Sequence, residues 1–75
     1  MSVARVIKIT AASPKSFEDA VHNGIERAST TLRGITGLHV IEQKAMVVEG
    51  KVSQYLVSME ITFVIDVDWS SGSQG

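Results

Sequence analysis

Tyr55-Leu56-Val57-Ser58-Met59-Glu60-Ile61-Thr62-Phe63-Val64-Ile65 is the stretch that decides the fold. Tyr55, Val57, Met59, Ile61, Phe63 and Ile65 are large and apolar, and they alternate with Gln54, Leu56, Ser58, Glu60, Thr62 and Val64. Alternation with period two sends successive side chains to opposite faces of a strand. Held from 54 to 65, it predicts a long antiparallel strand with one face committed to a core. The second face is not wholly polar, because Leu56 and Val64 interrupt it.

Working upstream, the Glu49-Gly50 pair supplies, in Gly50, the left-handed-tolerant residue that a tight hairpin needs. The segment from Ile35 to Val48 before it reads as the partner strand. Residues 3 to 10, Val-Ala-Arg-Val-Ile-Lys-Ile-Thr, are rich in β-branched types and read as a first strand. Between these lies a helix: Phe17, Ala20, Val21, Gly24, Ile25, Ala28 and Leu32 fall on one stripe. Ser13 and Pro14 suit its N-cap and first position. Glu18 and Asp19 at its start and Arg33 at its end complement the dipole, and Gly34 suits a C-cap.

The order is therefore β-α-β-β, an α+β domain with a three-stranded antiparallel sheet wrapped on one helix. One helix covers one sheet face, so the other must meet solvent or a second copy. Residues 1 to 66 form the domain. Residues 67 to 75, running into Ser-Ser-Gly-Ser-Gln-Gly, read as a flexible tail.

Length and composition support this. A chain of 75 residues has room for one domain. With 44% hydrophobic and 20% charged residues it is too apolar for a disordered chain. A net charge of −1 with no basic patch argues against a nucleic-acid partner. No apolar run reaches a membrane span, and Met1-Ser2-Val3-Ala4-Arg5 lacks the apolar stretch of a signal peptide. With no cysteine there is no disulfide framework, and the cytoplasm is the expected compartment. A domain this small buries only about 60% of its unfolded surface, which makes oligomerisation the expected source of added stability.

Candidate chemistry is sparse. His22 lies on the polar side of the helix and His39 sits between Leu38 and Val40 in the second strand; both read as surface or interface histidines. The chain has no Gly-rich phosphate loop, nucleophile elbow or H-E-x-x-H. No set of residues fills every role a catalytic site requires, so an enzyme is not expected. Glu42, Glu49, Glu60, Asp66 and Asp68 could join an oxygen-ligand site. Calcium wants six to eight oxygens, so such a site would form at a subunit contact; solvated carboxylates are the plainer reading. Trp69, the one tryptophan, reads as a packing residue.

Several stretches carry a resemblance. Thr-Ala-Ala-Ser-Pro-Lys-Ser-Phe at 10 to 17, Ile25-Glu26-Arg27-Ala28, Val40-Ile41-Glu42-Gln43 and the strand around Tyr55 to Phe63 resemble the dodecin family over residues 3 to 66. The resemblance implies a hollow homododecamer with helices outward and sheets lining the interior. It also implies a non-enzymatic binding or storage role, with FMN, FAD or riboflavin as the family ligand.

In flavin-binding members a tryptophan on the second strand stacks on the ring and a glutamine on the third hydrogen-bonds its edge. Gly37 and Leu56 occupy those positions here. Glu42 matches an acidic residue near the ribityl chain, and Lys44 an arginine used near phosphate in some members. A lost aromatic platform removes roughly 1–3 kcal/mol, and the unpaired ring edge about as much. Together these are on the order of 2–6 kcal/mol, or about 30-fold to over 10⁴-fold in affinity, if additive. Val-Ile-Glu-Gln at 40 to 43 resembles the tryptophan-lacking, calcium-dodecin branch. Calcium or another small ligand is therefore the expected cargo, with a ligand-free structural assembly as the alternative.

Overall fold

The computed structural model describes residues 3–65. Strand β1 (Ala4–Ser13), helix α1 (Phe17–Ala28), strand β2 (Ile35–Val48) and strand β3 (Lys51–Val64) follow in order. The sheet order is β1-β3-β2, antiparallel throughout, so the strand with the strict alternation lies in the middle. Its odd residues Val57, Met59, Ile61 and Phe63 are buried beneath α1. Each such side chain contributes about 1.5–3 kcal/mol when withdrawn from water. Ile65, expected in the same series, lies past the end of β3 and is 43% exposed.

β1 pairs with β3 so that Ile7, Ile9, Ala11 and Ser13 stand opposite Ile61, Met59, Val57 and Tyr55. The first strand thus runs to residue 13 instead of stopping at 10. Ala11 and Ala12 both remain in the ladder, and on the α1 side the small side chain of Ala11 lets the helix approach closely. At Gly24 an added Cβ would meet Ala11 Cβ at 3.0 Å and Met59 Cε at 2.5 Å.

The helix start also differs from expectation. Ser16, not Ser13, is the N-cap, accepting from the Asp19 N–H at 2.9 Å. Ser13 is fully buried at the end of β1; its hydroxyl donates to Asp19 Oδ2 at 2.6 Å and accepts from the Lys15 N–H at 3.0 Å. Phe17 opens the helix with its ring edge-on to Tyr55, centroids 5.0 Å apart.

At the other end α1 stops at Ala28 with Ser29 as C-cap, so Gly34 is not the cap and Arg33 lies beyond the helix; Arg27 is the basic residue of the last turn. The Thr30 hydroxyl donates to the Arg27 carbonyl at 2.7 Å, drawing a terminal carbonyl out of the regular ladder. Leu32 still closes onto the Ala28 carbonyl at 2.8 Å, which keeps it half-buried on the apolar stripe. Gly34, at φ +75°, serves the turn into β2.

The tight hairpin falls at Glu49-Gly50 as expected, and Glu49 at φ 51° joins Gly50 at φ 78° in the left-handed region, the signature of a type I′ turn. Beyond the helix, β2 and β3 continue as a two-stranded arm in which every residue from 41 to 54 is exposed. The extents are 58 × 19 × 12 Å and the radius of gyration is 16.1 Å. A compact chain of this length would have about 11 Å.

Candidate functional site

The register sorts the sheet into two faces. Opposite α1 lie three cross-strand rows: Lys44 with Leu56 and Ala12, Glu42 with Ser58 and Thr10, and His39 with Glu60 and Lys8. A fourth row holds Gly37 with Thr62 and Val6. All four expected pocket positions, Gly37, Glu42, Lys44 and Leu56, therefore share the helix-free face.

A bulge at Ile41 produces that arrangement. Plain alternation along β2 would separate odd Gly37 from even Glu42 and Lys44. The ladder shifts by one between Ile35 and Gly37, and again between Val40 and Glu42. Each single-residue shift exchanges the two faces for everything that follows. The second shift, at Ile41, returns Glu42 and Lys44 to the side that Gly37 and His39 occupy.

Sharing a face does not bring all four together. Lys44 stands directly across from Leu56, with Glu42 one step along β2. Gly37, opposite Thr62, lies six residues farther along β3 than Leu56, roughly 20 Å at the rise of a strand. An added Cβ at Gly37 would find no atom within 4 Å.

Measured against the flavin contacts that the resemblance implies, Gly37 carries no ring and Leu56 no hydrogen-bonding amide. Measured against calcium, no group of three or more histidine, aspartate or glutamate side chains converges among the described residues. Oxygen ligands sufficient for calcium would have to be shared between copies. Glu49 sits in the hairpin turn. Asp66, Asp68, Trp69 and the expected tail at 67–75 lie outside the described residues.

The two histidines each face a carboxylate. His22 Nε2 is 3.9 Å from Glu18 on the exposed side of α1. His39 Nδ1 is 3.7 Å from Glu60 Oε1 across the β2–β3 ladder. The second pair was not foreseeable without the register: His39 and Glu60 are 21 positions apart, and a bulge decides which face His39 takes. In the next row Thr10 Oγ1 and Ser58 Oγ are hydrogen-bonded at 3.1 Å.

On the opposite side, an open groove of about 900 Å³ runs between α1 and the edge strand β1. Its lining includes Ile7, Ile9, Ala11, Ala28 and Leu32, and none of the four expected positions. Large apolar residues also lie in the open on the sheet and arm, among them Ile41, Met46, Val47, Val48 and Val52. No helix of the described residues is long and apolar enough to cross a membrane.

Comparison with known proteins gives a consistent result. The family model for dodecin matches residues 3–66. Calcium dodecin of Mycobacterium tuberculosis is 35% identical over 63 residues, covering 84% of this chain and 89% of that protein. Among solved structures, dodecin from Streptomyces davaonensis superposes with a TM-score of 0.85 at 32% identity, covering 88% of this chain and 97% of that one. The M. tuberculosis calcium dodecin structure, reported with a novel calcium-binding site, superposes with a TM-score of 0.77 at 34% identity, covering 89% and 96%. With its β-α-β-β order, its central alternating strand and a match that spans every described element, the chain belongs to the dodecin family.

Proposed function

We propose that the protein is a non-enzymatic binding or storage protein that assembles as a homododecameric shell and takes a small ligand on its helix-free face. The observation that carries this reading is Gly37. Its position on that face is open to 4 Å, while Glu42 and Lys44 keep charged groups on the same side. A face without an aromatic platform favours a small or ionic ligand over a stacked flavin. Calcium is the cargo we favour, by analogy with the calcium dodecin relative. FMN, FAD or riboflavin would bind weakly, for want of the ring and the amide. The cytoplasm is the compartment this reading assigns.

The assembly half of the proposal has its own support. A two-stranded ribbon is marginal alone in water, yet the arm carries Ile41, Met46, Val47, Val48 and Val52 in the open. Packing against other copies would cover them, and the groove beside β1 offers an apolar floor.

Native mass spectrometry of ligand-free protein, followed by thermal unfolding with and without calcium, tests both halves. A peak at about 97 kDa, twelve times 8.1 kDa, is expected for a closed shell. Calcium at 100 times its dissociation constant should add about 2.7 kcal/mol of stability. A monomer would overturn the shell. A dodecamer whose melting temperature ignores calcium would favour the second reading, a purely structural assembly. That reading needs no ligand side chains to converge, and no three do so among the described residues of a single chain.

A further inference from the structure

We infer that His39 and Glu60 form a two-ligand binding site for a divalent transition-metal cation of the zinc type. Water would complete the coordination. The two residues are direct cross-strand partners on the helix-free face, with Nδ1 and Oε1 3.7 Å apart. That separation is too long for a hydrogen bond, which spans 2.7–3.2 Å for nitrogen and oxygen. It is close to the bite of a tetrahedral ion: metal–nitrogen and metal–oxygen bonds near 2.1 Å place their donors ~3.4 Å apart. A small rotation about either side chain closes the difference.

Two further features suit a cation. Lys8 is the β1 partner of Glu60 on the same face, yet the side-chain contact that Glu60 makes within 4.0 Å among the described residues is with the His39 imidazole. Among the described residues no Lys8 contact within 4.0 Å competes with the imidazole for that carboxylate. Access is also open, since the side chains of His39 and Glu60 are 78% and 46% exposed. The adjoining row along β2 ends in Gly37, which has no side chain to cover the site.

The donor set determines the class of ion. Imidazole nitrogen with carboxylate oxygen suits zinc, nickel and copper, whereas calcium takes oxygen ligands. The site is therefore distinct from any calcium site of the proposed function and stands or falls separately.

Titration calorimetry of the intact protein with zinc chloride, in chelator-free buffer, tests it. One zinc per chain is expected. His39→Ala and Glu60→Gln should each weaken binding by about tenfold or more, and Lys8→Gln should tighten it by removing a like charge. His22→Ala is the control, because His22 and Glu18 make the other histidine–carboxylate pair. These residues are exposed, and circular dichroism checks that each variant keeps its fold. Zinc affinity unchanged in the His39 and Glu60 variants, or lost in the His22 variant, would overturn the assignment. So would calcium binding as tightly as zinc through the same two residues.

Discussion

Gly37 and Leu56 lie on one face of the sheet but at different ends of it, since Gly37 stands opposite Thr62 and Leu56 opposite Lys44. The six residues between these rows amount to roughly 20 Å of strand. A planar ligand held by both positions must take them from two copies of the chain. The first prediction follows from that geometry. Gly37→Trp meets no obstacle at its Cβ, which would find no atom within 4 Å on a backbone outside the left-handed region. It should raise FMN affinity by about 5- to 150-fold, the equivalent of one stacked ring at roughly 1–3 kcal/mol. Adding Leu56→Gln should bring the total to about 30-fold or more, if both contacts form. Quenching of flavin fluorescence reads the outcome. A folded, assembled double variant with unchanged affinity would show that these positions do not form the pocket.

Gly34 carries a second prediction. It adopts φ +75°, its carbonyl accepts from the Val64 N–H at 2.9 Å, and an added Cβ would lie 2.8 Å from the Val64 carbonyl oxygen. Backbone lies on both sides of the clash, so no side chain can turn away to relieve it. Gly34→Ala should destabilise the protein by about 1–3 kcal/mol. The companion change Gly50→Ala has open space around it and should cost only the left-handed strain, about 1 kcal/mol. Urea unfolding of the two variants side by side measures the difference. Equal losses would mean that the close approach to Val64 contributes nothing.

The two serines at the helix start separate in a third experiment. Ser16→Ala removes the N-cap and should lose about 1 kcal/mol. Ser13→Ala strips a fully buried hydroxyl that receives the Lys15 N–H and donates to Asp19, leaving both partners short of a bond. Its loss should be the larger, on the order of 1–3 kcal/mol. Asp19 couples the two sites, because its N–H binds Ser16 while its carboxylate receives Ser13 and Asn23. The double variant should therefore lose less than the sum of the singles. Thermal unfolding of the three proteins decides it, and a Ser13 variant as stable as wild type would remove the buried hydroxyl from the account.

Those serines also mark the limit of what the sequence shows. β3, the hairpin turn at Glu49 and Gly50, and the apolar stripe of α1 were legible because each rests on a local pattern: period two, a turn dipeptide, a 3.6-residue repeat. Ser13 and Ser16 both satisfy the local signal for an N-cap. Only the pairing of Ser13 with Tyr55 in β1 excludes the first. The face assignments in β2 were illegible for a similar reason. Bulges at Thr36 and Ile41 depend on the partner strand, and without the one at Ile41 Gly37 and Glu42 count to opposite sides. The pairing of His39 with Glu60 follows from those bulges, so nothing in the local sequence announces it.

The exposed arm yields the last prediction. Val47 is 62% exposed and Ile41 44% exposed in a ribbon that has no helix of its own, so neither contributes much to the fold of a single chain. In a closed assembly each substitution is repeated in every copy. Burying an aspartate without a partner costs several kcal/mol where valine or isoleucine contributes about 1.5–3 kcal/mol. Val47→Asp and Ile41→Asp should therefore shift the native mass from about 97 kDa toward the 8.1 kDa chain. The released chain should also melt at a lower temperature, because a domain this small is marginal without its neighbours. Lys15→Asp, a charge change on an exposed residue between β1 and α1, is the control for charge alone and should leave the assembly intact. If both arm variants hold the full assembly mass, the arm is not what joins the copies, and the groove beside β1 loses its proposed occupant.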